Sequence, residues 1–576
     1  MNLPRPEYPR PRMRRENWTN LNGEWEFELD LAQSGRERNM HIDGNYSKKI
    51  IVPFCPESKL SGLGITDFMP SVWYRKKFEI ERNKDVRTLI HFGAIDYHTE
   101  VWINGNSVGT HVGGYVSFSF DITEYVKDGV NEVVVCATDD NRNGKQPCGK
   151  QSSRYDSYGC HYTRTTGIWQ TVWIEQVPKT YISNIKLVPD INNEKINISL
   201  FLEGDVRDGS NLKILAETSY KGKETGSIQV NGCWRQVSFS IPLNELHLWE
   251  PLKGRLYDLK VTLYKDDHAI DTVDSYFGMR NVSLTDKAIL INGKTVFQRL
   301  ILDQGFFKDG IYTAPSDEEL KKDIERSIAM GFNGARLHQK VFEPRFLYWA
   351  DKLGYLCWGE HANWGLDISN PEGLMAFLPE WVEIVNRDFS HPSIVGWCPF
   401  NETQHNQDSR IIEYIYKITR EIDPTRPIID TSGWVHANFT DVFDVHDYDQ
   451  DINSFAAKYD PFKTSDTPHV TLSDPSTYKV GTPYFFSEFG GTWWAPGVDG
   501  WGYGNAPKNE EEFIERFRSL VSYLLNHPKV CAFCYTQLTD VEQEVNGLYT
   551  YDREPKFDPD IIKEIVSAKA AIEMEN

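Results

Sequence analysis

The sequence predicts a multidomain protein of β plus α/β type, with two β-sandwiches followed by a (β/α)8 barrel. Its 576 residues are enough for roughly three or four domains. The first half contains short runs in which apolar and polar residues alternate, which is typical of strands. The second half alternates strand-like runs with helical stripes, which is typical of a parallel barrel. We therefore place the domains at residues 1–180, 181–284 and 285–576.

The first predicted domain is a β-sandwich of jelly-roll type. Gly23–Leu29 alternates with a period of two, and Thr99–Ile103 runs into an Asn-Gly turn, the strongest short signal for a hairpin. Further strands are predicted at Val116–Ile122, Glu132–Thr138 and Gln170–Glu175.

The second predicted domain is an immunoglobulin-like β-sandwich. It has about 100 residues with closely spaced strands and no helical pattern, which is the usual size and composition of such a sandwich. The predicted strands are Ile185–Val188, Lys195–Leu202, Asn211–Thr218, Trp234–Ile241 and Leu256–Tyr264.

The third predicted domain is a TIM barrel. Ser316 and Glu319 have the spacing of a helix capping box. Leu320, Ile324 and Ile328 then form one apolar helical stripe. The later predicted helices are Pro344–Leu353, Glu372–Phe389, Ser409–Ile422 and Glu510–Leu525. The predicted strands are Asn333–Leu337, Tyr355–Gly359, Ile394–Phe400, Pro427–Asp430, Val442–His446, Tyr484–Ser487 and Val530–Tyr535.

Composition limits the possible partners. Hydrophobic residues make up 40% and charged residues 25%, which is typical of globular chains. With 62 basic and 83 acidic residues the formal charge is −21, which argues against nucleic acid and anionic membranes as partners. No apolar run approaches the roughly 18 residues of a membrane span and no signal peptide is visible, so we expect a cytoplasmic protein. We expect neither a cofactor nor a metal ion, because a solvated loop accounts for the acidic stretch Asp441–Asp449.

Two glutamates directly follow apolar strands of the predicted barrel. Ile394–Phe400 leads into Asn401 and Glu402, and Tyr484–Ser487 leads into Glu488. The carboxyl ends of the strands form the active site of this fold, and a charge there is unfavourable unless it faces a polar cavity. Acetal cleavage needs paired carboxylates, because one protonates the leaving group while the other meets the oxocarbenium-like centre. The pair therefore predicts glycoside cleavage.

Several motifs strengthen this interpretation. They are Trp73–Phe78, Gly105–Gly114, Arg164–Gln170, His391–Ile394 with the following Asn401-Glu402, and Ser487–Gly490. Together they resemble glycoside hydrolase family 2, which contains β-galactosidases, β-glucuronidases and β-mannosidases. The resemblance covers essentially the whole chain: a jelly-roll domain of sugar-binding type, an immunoglobulin-like domain and a catalytic barrel.

The resemblance implies a retaining double displacement, with Glu402 as the general acid/base and Glu488 as the nucleophile. It also implies that Asn401 hydrogen-bonds the sugar 2-hydroxyl and that Tyr448 hydrogen-bonds the nucleophile. A phenol donor in that position stabilises the ionised form of Glu488 and lowers its pKa. His446, two residues before Tyr448, is a further candidate for substrate binding.

Five other residues are weaker candidates for substrate binding. Arg336 and His338 resemble the family's Arg-x-Ser-His motif, although this chain is one residue shorter there and His338 also fits an internally paired strand end. Asp303 follows the first barrel strand, where it could bind a sugar hydroxyl or cap the loop. Trp493 could form a stacking wall or simply pack. Tyr535 stands on the last strand, where the family often has Trp.

The substrate remains open at this stage. The family's glucuronidases carry an Asn-x-Lys motif near the last strand that pairs with the sugar carboxylate, but Val545–Tyr549 has no such lysine. We therefore predict an exo-acting β-galactosidase on oligosaccharides or glycosides. The alternatives are a β-hexuronidase (β-galacturonidase or β-glucuronidase) that uses Arg336 or Lys340, another β-glycosidase of the family and, remotely, a non-catalytic carbohydrate-binding protein. By analogy with family members, we expect a possible homo-oligomer.

Overall fold

The computed structural model describes residues 3–206 and 211–574, and the predicted fold class is confirmed. The strands of the first domain are β1 (Trp18–Asn20), β2 (Gly23–Leu29), β3 (Lys48–Val52), β4 (Ser71–Ile80), β5 (Val86–Phe92), β6 (Ile95–Asp96), β7 (His98–Ile103), β8 (Asn106–Val112), β9 (Phe118–Asp121), β10 (Gly129–Thr138), β11 (Gly167–Ile168) and β12 (Val172–Pro178). A short helix, α1 (Met40–Asp43), follows β2.

Two antiparallel sheets of this domain enclose an apolar core. Their strand orders are β1-β12-β5-β9 and β3-β2-β4-β10-β7-β8, and β6 pairs separately with β11. Alternate residues of each strand point inward, as the period of two predicts. Trp25 and Phe27 of β2 meet Tyr74 of β4 edge to face, and all three side chains are buried.

The second domain is the predicted second sandwich. Its strands are β13 (Thr180–Asp190), β14 (Lys195–Gly204), β15 (Leu212–Tyr220), β16 (Lys223–Asn231), β17 (Gln236–Pro242), β18 (Tyr257–Lys265) and β19 (His268–Phe277). The sheets have the orders β13-β14-β17 and β16-β15-β18-β19. The sequence did not predict β16 and β19, and both are edge strands of the second sheet. Edge strands leave more of their side chains in solvent, which weakens the apolar alternation.

A small antiparallel sheet leads into the barrel. It consists of β20 (Val282–Leu284), β21 (Ile289–Ile291) and β22 (Lys294–Thr295). The barrel elements are β23 (Gln298–Asp303), α2 (Asp317–Ala329), β24 (Gly334–Leu337), α3 (Pro344–Leu353), β25 (Leu356–Glu360), α4 (Pro371–Asp388), β26 (Ile394–Cys398), α5 (Ser409–Ile422), β27 (Phe443–Asp447), α6 (Ile452–Tyr459), β28 (Tyr484–Gly490), α7 (Glu510–Asn526), β29 (Val530–Thr536) and α8 (Pro559–Val566). The strands form one parallel sheet in the order β26-β25-β24-β23-β29-β28-β27.

The barrel closes through residues 428–432 rather than through the regular strand predicted at Pro427–Asp430. Isolated parallel bridges join Trp397 to Ile428 and Asn401 to Ser432. On the other side, the N–H of Ile428 donates to the Asp441 carboxylate at 3.0 Å instead of to a strand carbonyl. Side-chain acceptors therefore replace part of the ladder, and this explains why the segment is not a regular strand.

A loop of the first domain docks on the barrel near the carboxyl ends of its strands. The N–H of Cys148 donates to the carbonyl of Trp364 at 2.8 Å, and that of Gly149 donates to Ala362 at 3.1 Å. Gly149 has φ +57°, and a Cβ at this position would collide with the carbonyl oxygen of Gln339. Glycine is thus required for the close approach of the two backbones.

Among the described residues, no helix is both long enough and apolar enough to cross a membrane.

Candidate active site

The two predicted glutamates lie side by side at one end of the barrel. Glu402 follows β26, and its N–H donates to the carbonyl of Ser432 in the closing segment at 2.8 Å. Its φ of 50° is unusual for a residue with a side chain. Glu488 lies within β28. The side chain of Glu402 is 12% exposed and that of Glu488 only 5%, so Glu402 is the more accessible of the two.

His446 of β27 connects the two carboxylates. Its Nδ1 lies 2.8 Å from Oε1 of Glu402 and 3.3 Å from Oε2 of Glu488. These three atoms all lie within 4.8 Å of one another. Nε2 of the same ring lies 2.9 Å from the hydroxyl of Ser432, which orients the imidazole. The carboxylates of Glu402 and Glu488 are therefore close enough to act on the same bond of a substrate.

Tyr448 is placed on the same side of Glu488. Its hydroxyl donates to Oε2 of Glu488 at 2.5 Å and lies 3.1 Å from the hydroxyl of Thr536. The ring of Tyr448 is stacked on Tyr503, with centroids 3.5 Å apart and planes at 5°. The sequence-based expectation of a phenol beside Glu488 thus agrees with the geometry.

Arg336 holds several parts of the site together. Its guanidinium donates to Glu360 at 2.8 Å, to Glu488 at 3.2 Å and to the Asn401 side-chain oxygen at 3.1 Å. A further bond of 2.7 Å reaches the carbonyl of Ser487. The arginine is fully buried, and a buried guanidinium of this kind is stable only with paired acceptors.

His338 also lies within this network. Its Nδ1 is 3.2 Å from Oε1 of Glu360 and 3.7 Å from Oε1 of Glu488. Burial lowers the pKa of His338 well below its ordinary value. Both its proposed substrate role and its internal pairing remain consistent with this position.

Neighbouring charges lower the pKa of Glu488 and raise the pKa of His446. Burial alone would raise the pKa of Glu488, but His446, His338, Arg336 and Lys150 outweigh it and hold the pKa well below its usual range. Burial likewise disfavours a charged His446, but Glu488 and Glu402 raise its pKa above the ordinary value. Glu488 is therefore a carboxylate at neutral pH, which agrees with the nucleophile role predicted from the sequence.

Asn401 presents a free donor next to this pair. Its side-chain oxygen accepts from Arg336, while its amide nitrogen is buried and has no hydrogen-bond partner within the described part of the chain. A buried amide without a partner is unfavourable unless a ligand supplies one. Asn401 is thus suited to bind a substrate hydroxyl.

The first domain contributes side chains to the site. The buried Lys150 places its ammonium over the ring of Trp364, 3.9 Å from the centroid. His161 tilts against the same ring at 5.4 Å. A cavity of about 520 Å³ opens beside Glu402, and its walls include His161, Trp364 and Trp434. The pocket is therefore formed by two domains.

Two of the predicted substrate residues lie outside the pocket. The carboxylate of Asp303 accepts the N–H of Gly305 at 2.9 Å, and its charged neighbours are Asp323 on α2 and Arg553, so it caps the loop outside the sheet. Tyr535 is buried and its ring packs on Phe517 of α7. For Asp303 this contact fits the loop-capping alternative, and the substrate roles of Asp303 and Tyr535 stay predictions. Neighbouring residues of a strand point to opposite faces, so a place at a strand end does not by itself direct a side chain into the pocket.

Trp493 lies half-buried on the loop after β28, where its N–H donates to the carbonyl of Tyr503 at 3.3 Å. Its role as a stacking wall stays a prediction.

Sequence reasoning missed Glu360 and Lys150. Glu360 ends the apolar strand β25, so the rule that identified Glu402 and Glu488 also applies to it. Lys150 lies in a loop without a periodic pattern. Its place in the site follows from the docking of the first domain on the barrel, which the sequence does not show.

The group formed by Glu402, His446 and Glu488 is also the one set of described side chains whose ligand atoms are close enough to hold a metal ion. It offers two carboxylates and one imidazole, which is one ligand fewer than most structural zinc sites have. His446 lies within hydrogen-bonding distance of Glu402, so this direct contact explains why the three side chains lie close together without a metal ion.

Three family profiles together match most of the chain, from residue 18 to residue 568. The profile described as "Glycosyl hydrolases family 2, sugar binding domain" matches residues 18–172, "Glycosyl hydrolases family 2" matches residues 169–280, and "Glycosyl hydrolases family 2, TIM barrel domain" matches residues 282–568. The chain belongs to glycosyl hydrolase family 2. The family assignment made from the motifs is thereby confirmed.

The curated relatives of this family 2 chain include both glucuronidases and galactosidases. A Formosa agariphila protein, named as a candidate β-glucuronidase, is 26% identical over 74% of this chain and 52% of its own length. A β-glucuronidase of Paenibacillus borealis is 24% identical over 73% of this chain and 74% of its own length. A β-galactosidase of Thermoanaerobacter pseudethanolicus is 28% identical over 62% of this chain and 48% of its own length. The chain thus spans about half the length of several of these relatives.

The solved structures agree on the fold. A β-glucuronidase of Ruminococcus gnavus, in complex with an N1-substituted uronic isofagomine, superposes with a TM-score of 0.81. The match covers 98% of this chain and 100% of the other at 18% identity. At this identity the likeness establishes the shared fold.

Proposed function

We propose that this protein is a retaining exo-β-glycosidase that acts on β-hexuronides. The observation that carries the proposal is the pair Glu402 and Glu488, whose nearest oxygens lie within 4.8 Å of each other. Retaining enzymes have carboxyl groups about 5–5.5 Å apart, whereas inverting enzymes need about 6.5–9.5 Å to admit a water. The short separation supports a covalent intermediate.

In the first step, the Glu488 carboxylate attacks the anomeric carbon and the bond to the leaving oxygen breaks. Glu402 gives its proton to that oxygen, so the aglycone leaves as a neutral alcohol. In the second step, Glu402 removes a proton from water, and the resulting hydroxide displaces Glu488 from the sugar. Both glutamates regain their starting states, and the sugar keeps its β configuration.

The neighbours of the pair support these roles. Tyr448 and Arg336 stabilise the ionised form of Glu488, which favours its departure as a leaving group in the second step. Glu402 is more exposed and faces the cavity of about 520 Å³, where an aglycone has room. The free amide nitrogen of Asn401 is suited to the sugar 2-hydroxyl.

The choice of a uronide replaces the sequence-based preference for a β-galactoside. The relatives of Formosa agariphila and Paenibacillus borealis and the superposing structures carry names of glucuronidases, which supports the hexuronidase alternative. The β-galactosidases among the relatives make a neutral β-galactoside the comparison substrate.

The proposal is tested with 4-nitrophenyl β-D-glucuronide, β-D-galacturonide and β-D-galactoside. Glu488→Gln and Glu402→Gln are each expected to lose at least about 1,000-fold in kcat. Glu413→Gln is the control, because Glu413 is a half-buried residue of α5 that pairs with Lys417. Added azide is expected to restore turnover by Glu402→Gln and to yield a β-glycosyl azide. Near wild-type turnover by both variants would contradict the mechanism, and turnover of galactoside alone would contradict the uronide.

A further inference from the structure

A hexuronide brings a carboxylate into the pocket, and a buried carboxylate needs a cationic partner. Val545–Tyr549, after the last strand, contains no lysine. The sequence left Arg336 and Lys340 as the possible partners. The structure allows each of them to be judged by what its donors already bind.

Arg336 has its donors occupied by the protein. They bind Glu360, Glu488, Asn401 and the carbonyl of Ser487. Moving this guanidinium to a substrate would leave Glu360 as a buried and unpaired charge. Such an unpaired charge typically destabilises a protein strongly, so Arg336 is not free to recognise a substituent.

Lys340 is occupied as well and lies elsewhere. Its ammonium donates to the carbonyl oxygens of Gly305 and Tyr312, the latter at 2.8 Å. It also lies 5.4 Å from the ring centroid of Trp169, a residue of the first domain. The acidic groups that act on it are Glu343, Asp303 and Asp323, and neither catalytic glutamate is among them. Lys340 therefore belongs to the domain interface.

Lys150 differs from both. Its ammonium contacts the face of Trp364 and the thiol of Cys160, and no carboxylate oxygen of any described residue lies within the 4.0 Å of an ion pair. The ring that it contacts lies beside the catalytic pair, because the indole N–H of Trp364 donates to the carbonyl of Asn401 at 3.2 Å and Trp364 lines the same cavity as Glu402. The charges of Glu544, Glu402 and Glu488 also act on Lys150. A buried ammonium with a ring on one side still has donors for an anion.

Glu544 does not form an ion pair with the ammonium of Lys150. One of its oxygens accepts the Tyr162 hydroxyl at 2.6 Å, and the other accepts the Asn546 amide at 3.0 Å. The carboxylate of Glu544 is therefore satisfied by two neutral donors, one from the first domain and one from its own loop. The charge of Lys150 remains available between this loop and the catalytic pair.

We infer that Lys150 determines the specificity for hexuronides by pairing with the sugar carboxylate. This inference rests on the proposed function. The cation of the pocket then comes from the first β-sandwich, and the loop around Gly149 fixes its position. From the barrel side, the ring of Trp364 contacts the ammonium at 3.9 Å, and Trp364 lines the same cavity as Glu402.

The experiment compares substrates that differ only at C6: 4-nitrophenyl β-D-glucuronide with the glucoside, and β-D-galacturonide with the galactoside. The enzymes are the full-length wild type, Lys150→Met, Lys150→Arg and Lys150→Gln. Lys145→Met is the matched control, because Lys145 lies in the same loop but is exposed and pairs with Glu372 at the surface. Circular dichroism and thermal unfolding establish that each variant is folded.

Lys150→Met is expected to lower kcat/KM for the uronide roughly 100-fold more than for its neutral partner, because a buried charge pair loses one member. Lys150→Arg is expected to recover at least about a tenth of the lost preference. Lys145→Met is expected to keep the wild-type ratio to within about twofold, as for exposed charges generally.

The outcomes separate the two proposals. If the wild type cleaves uronides and a folded Lys150→Met or Lys150→Gln keeps the same preference for them, the inference about Lys150 is overturned while the hexuronidase stands. If the wild type cleaves neutral glycosides and no uronide, the proposed function fails. Inhibition of the wild type by free glucuronate or galacturonate, weakened in Lys150→Met, supports the inference independently of turnover.

Discussion

The hydroxyl of Tyr448 lies 2.5 Å from Oε2 of Glu488 and cannot easily move away from it. The ring behind the hydroxyl is stacked on Tyr503 at 3.5 Å, and Thr536 lies 3.1 Å from the same oxygen. The donor is therefore fixed before substrate arrives. A fixed donor needs no reorganisation when the charge of Glu488 returns in the second step.

Tyr448→Phe is expected to lower kcat/KM about 10- to 100-fold, because a hydrogen bond to a charged group contributes about 1.5–3 kcal/mol. The variant also removes a group that lowers the pKa of Glu488. The acidic limb of the profile of kcat/KM against pH is therefore expected to move to higher pH.

Tyr535→Phe is the matched control, since it removes the same hydroxyl from a residue that packs on Phe517 outside the pocket. It is expected to leave both kcat/KM and the acidic limb close to wild type. Equal effects of the two variants would contradict the placement of Tyr448.

Arg336→Met is expected to lower the free energy of unfolding by about 3–5 kcal/mol, because it leaves Glu360 and Glu488 as buried carboxylates without their partner. Urea denaturation followed by fluorescence measures this change. Arg410→Met is the control, since Arg410 pairs with Asp408 at the surface, where an ion pair contributes about 0–1 kcal/mol. A loss for Arg336→Met as small as that for Arg410→Met would contradict the network.

His446 is expected to make stability depend on pH in a defined direction. Its pKa is higher in the folded protein than in the unfolded chain, so its contribution is fully present below about pH 6.5 and is lost as pH rises through the folded pKa. The difference in melting temperature between wild type and His446→Gln should therefore shrink from pH 6 to pH 9. His405→Gln, at an exposed position, serves as the control. A difference that grows with pH would contradict a raised pKa of His446.

Gly149→Ala is expected to destabilise the docking of the first domain on the barrel. The new Cβ collides with the carbonyl of Gln339, and overpacking of this kind typically costs about 1–3 kcal/mol. Gly159→Ala is the control, because Gly159 has a similar φ of +52° but open space around its Cβ position. A lower melting temperature for Gly149→Ala than for Gly159→Ala, with reduced kcat/KM, is the expected result. Equal melting temperatures would contradict a tight approach at Gly149.

Much of the fold could be predicted because its signals are local. The capping box at Ser316 and the apolar stripe behind it define α2, and the structure begins that helix at Asp317. The segment at residues 428–432 could not be predicted in the same way. Its N–H at Ile428 bonds to the side chain of Asp441, a long-range contact that strand propensity does not contain.

The site could be predicted only in part, for geometric reasons. Glu402 and Glu488 were found because a charge after an apolar strand is conspicuous. The side chains of Asp303 and Tyr535 could not be placed in the same way, because the sequence does not show which face of the barrel strand they occupy. In β28 the pairing register shifts between Phe486 and Phe489, so simple alternation cannot be counted from one end.

Because the Gly149 loop docks on Ala362 and Trp364, the rate of turnover can be used to measure whether the first domain has joined the barrel. The barrel can acquire its helices and strands while Lys150 is still distant, and circular dichroism would then record a nearly native signal. Under the proposed role of Lys150, uronide cleavage is expected to return only when the first sandwich has closed over the barrel. During renaturation, the delay between these two signals measures how fast the domains join.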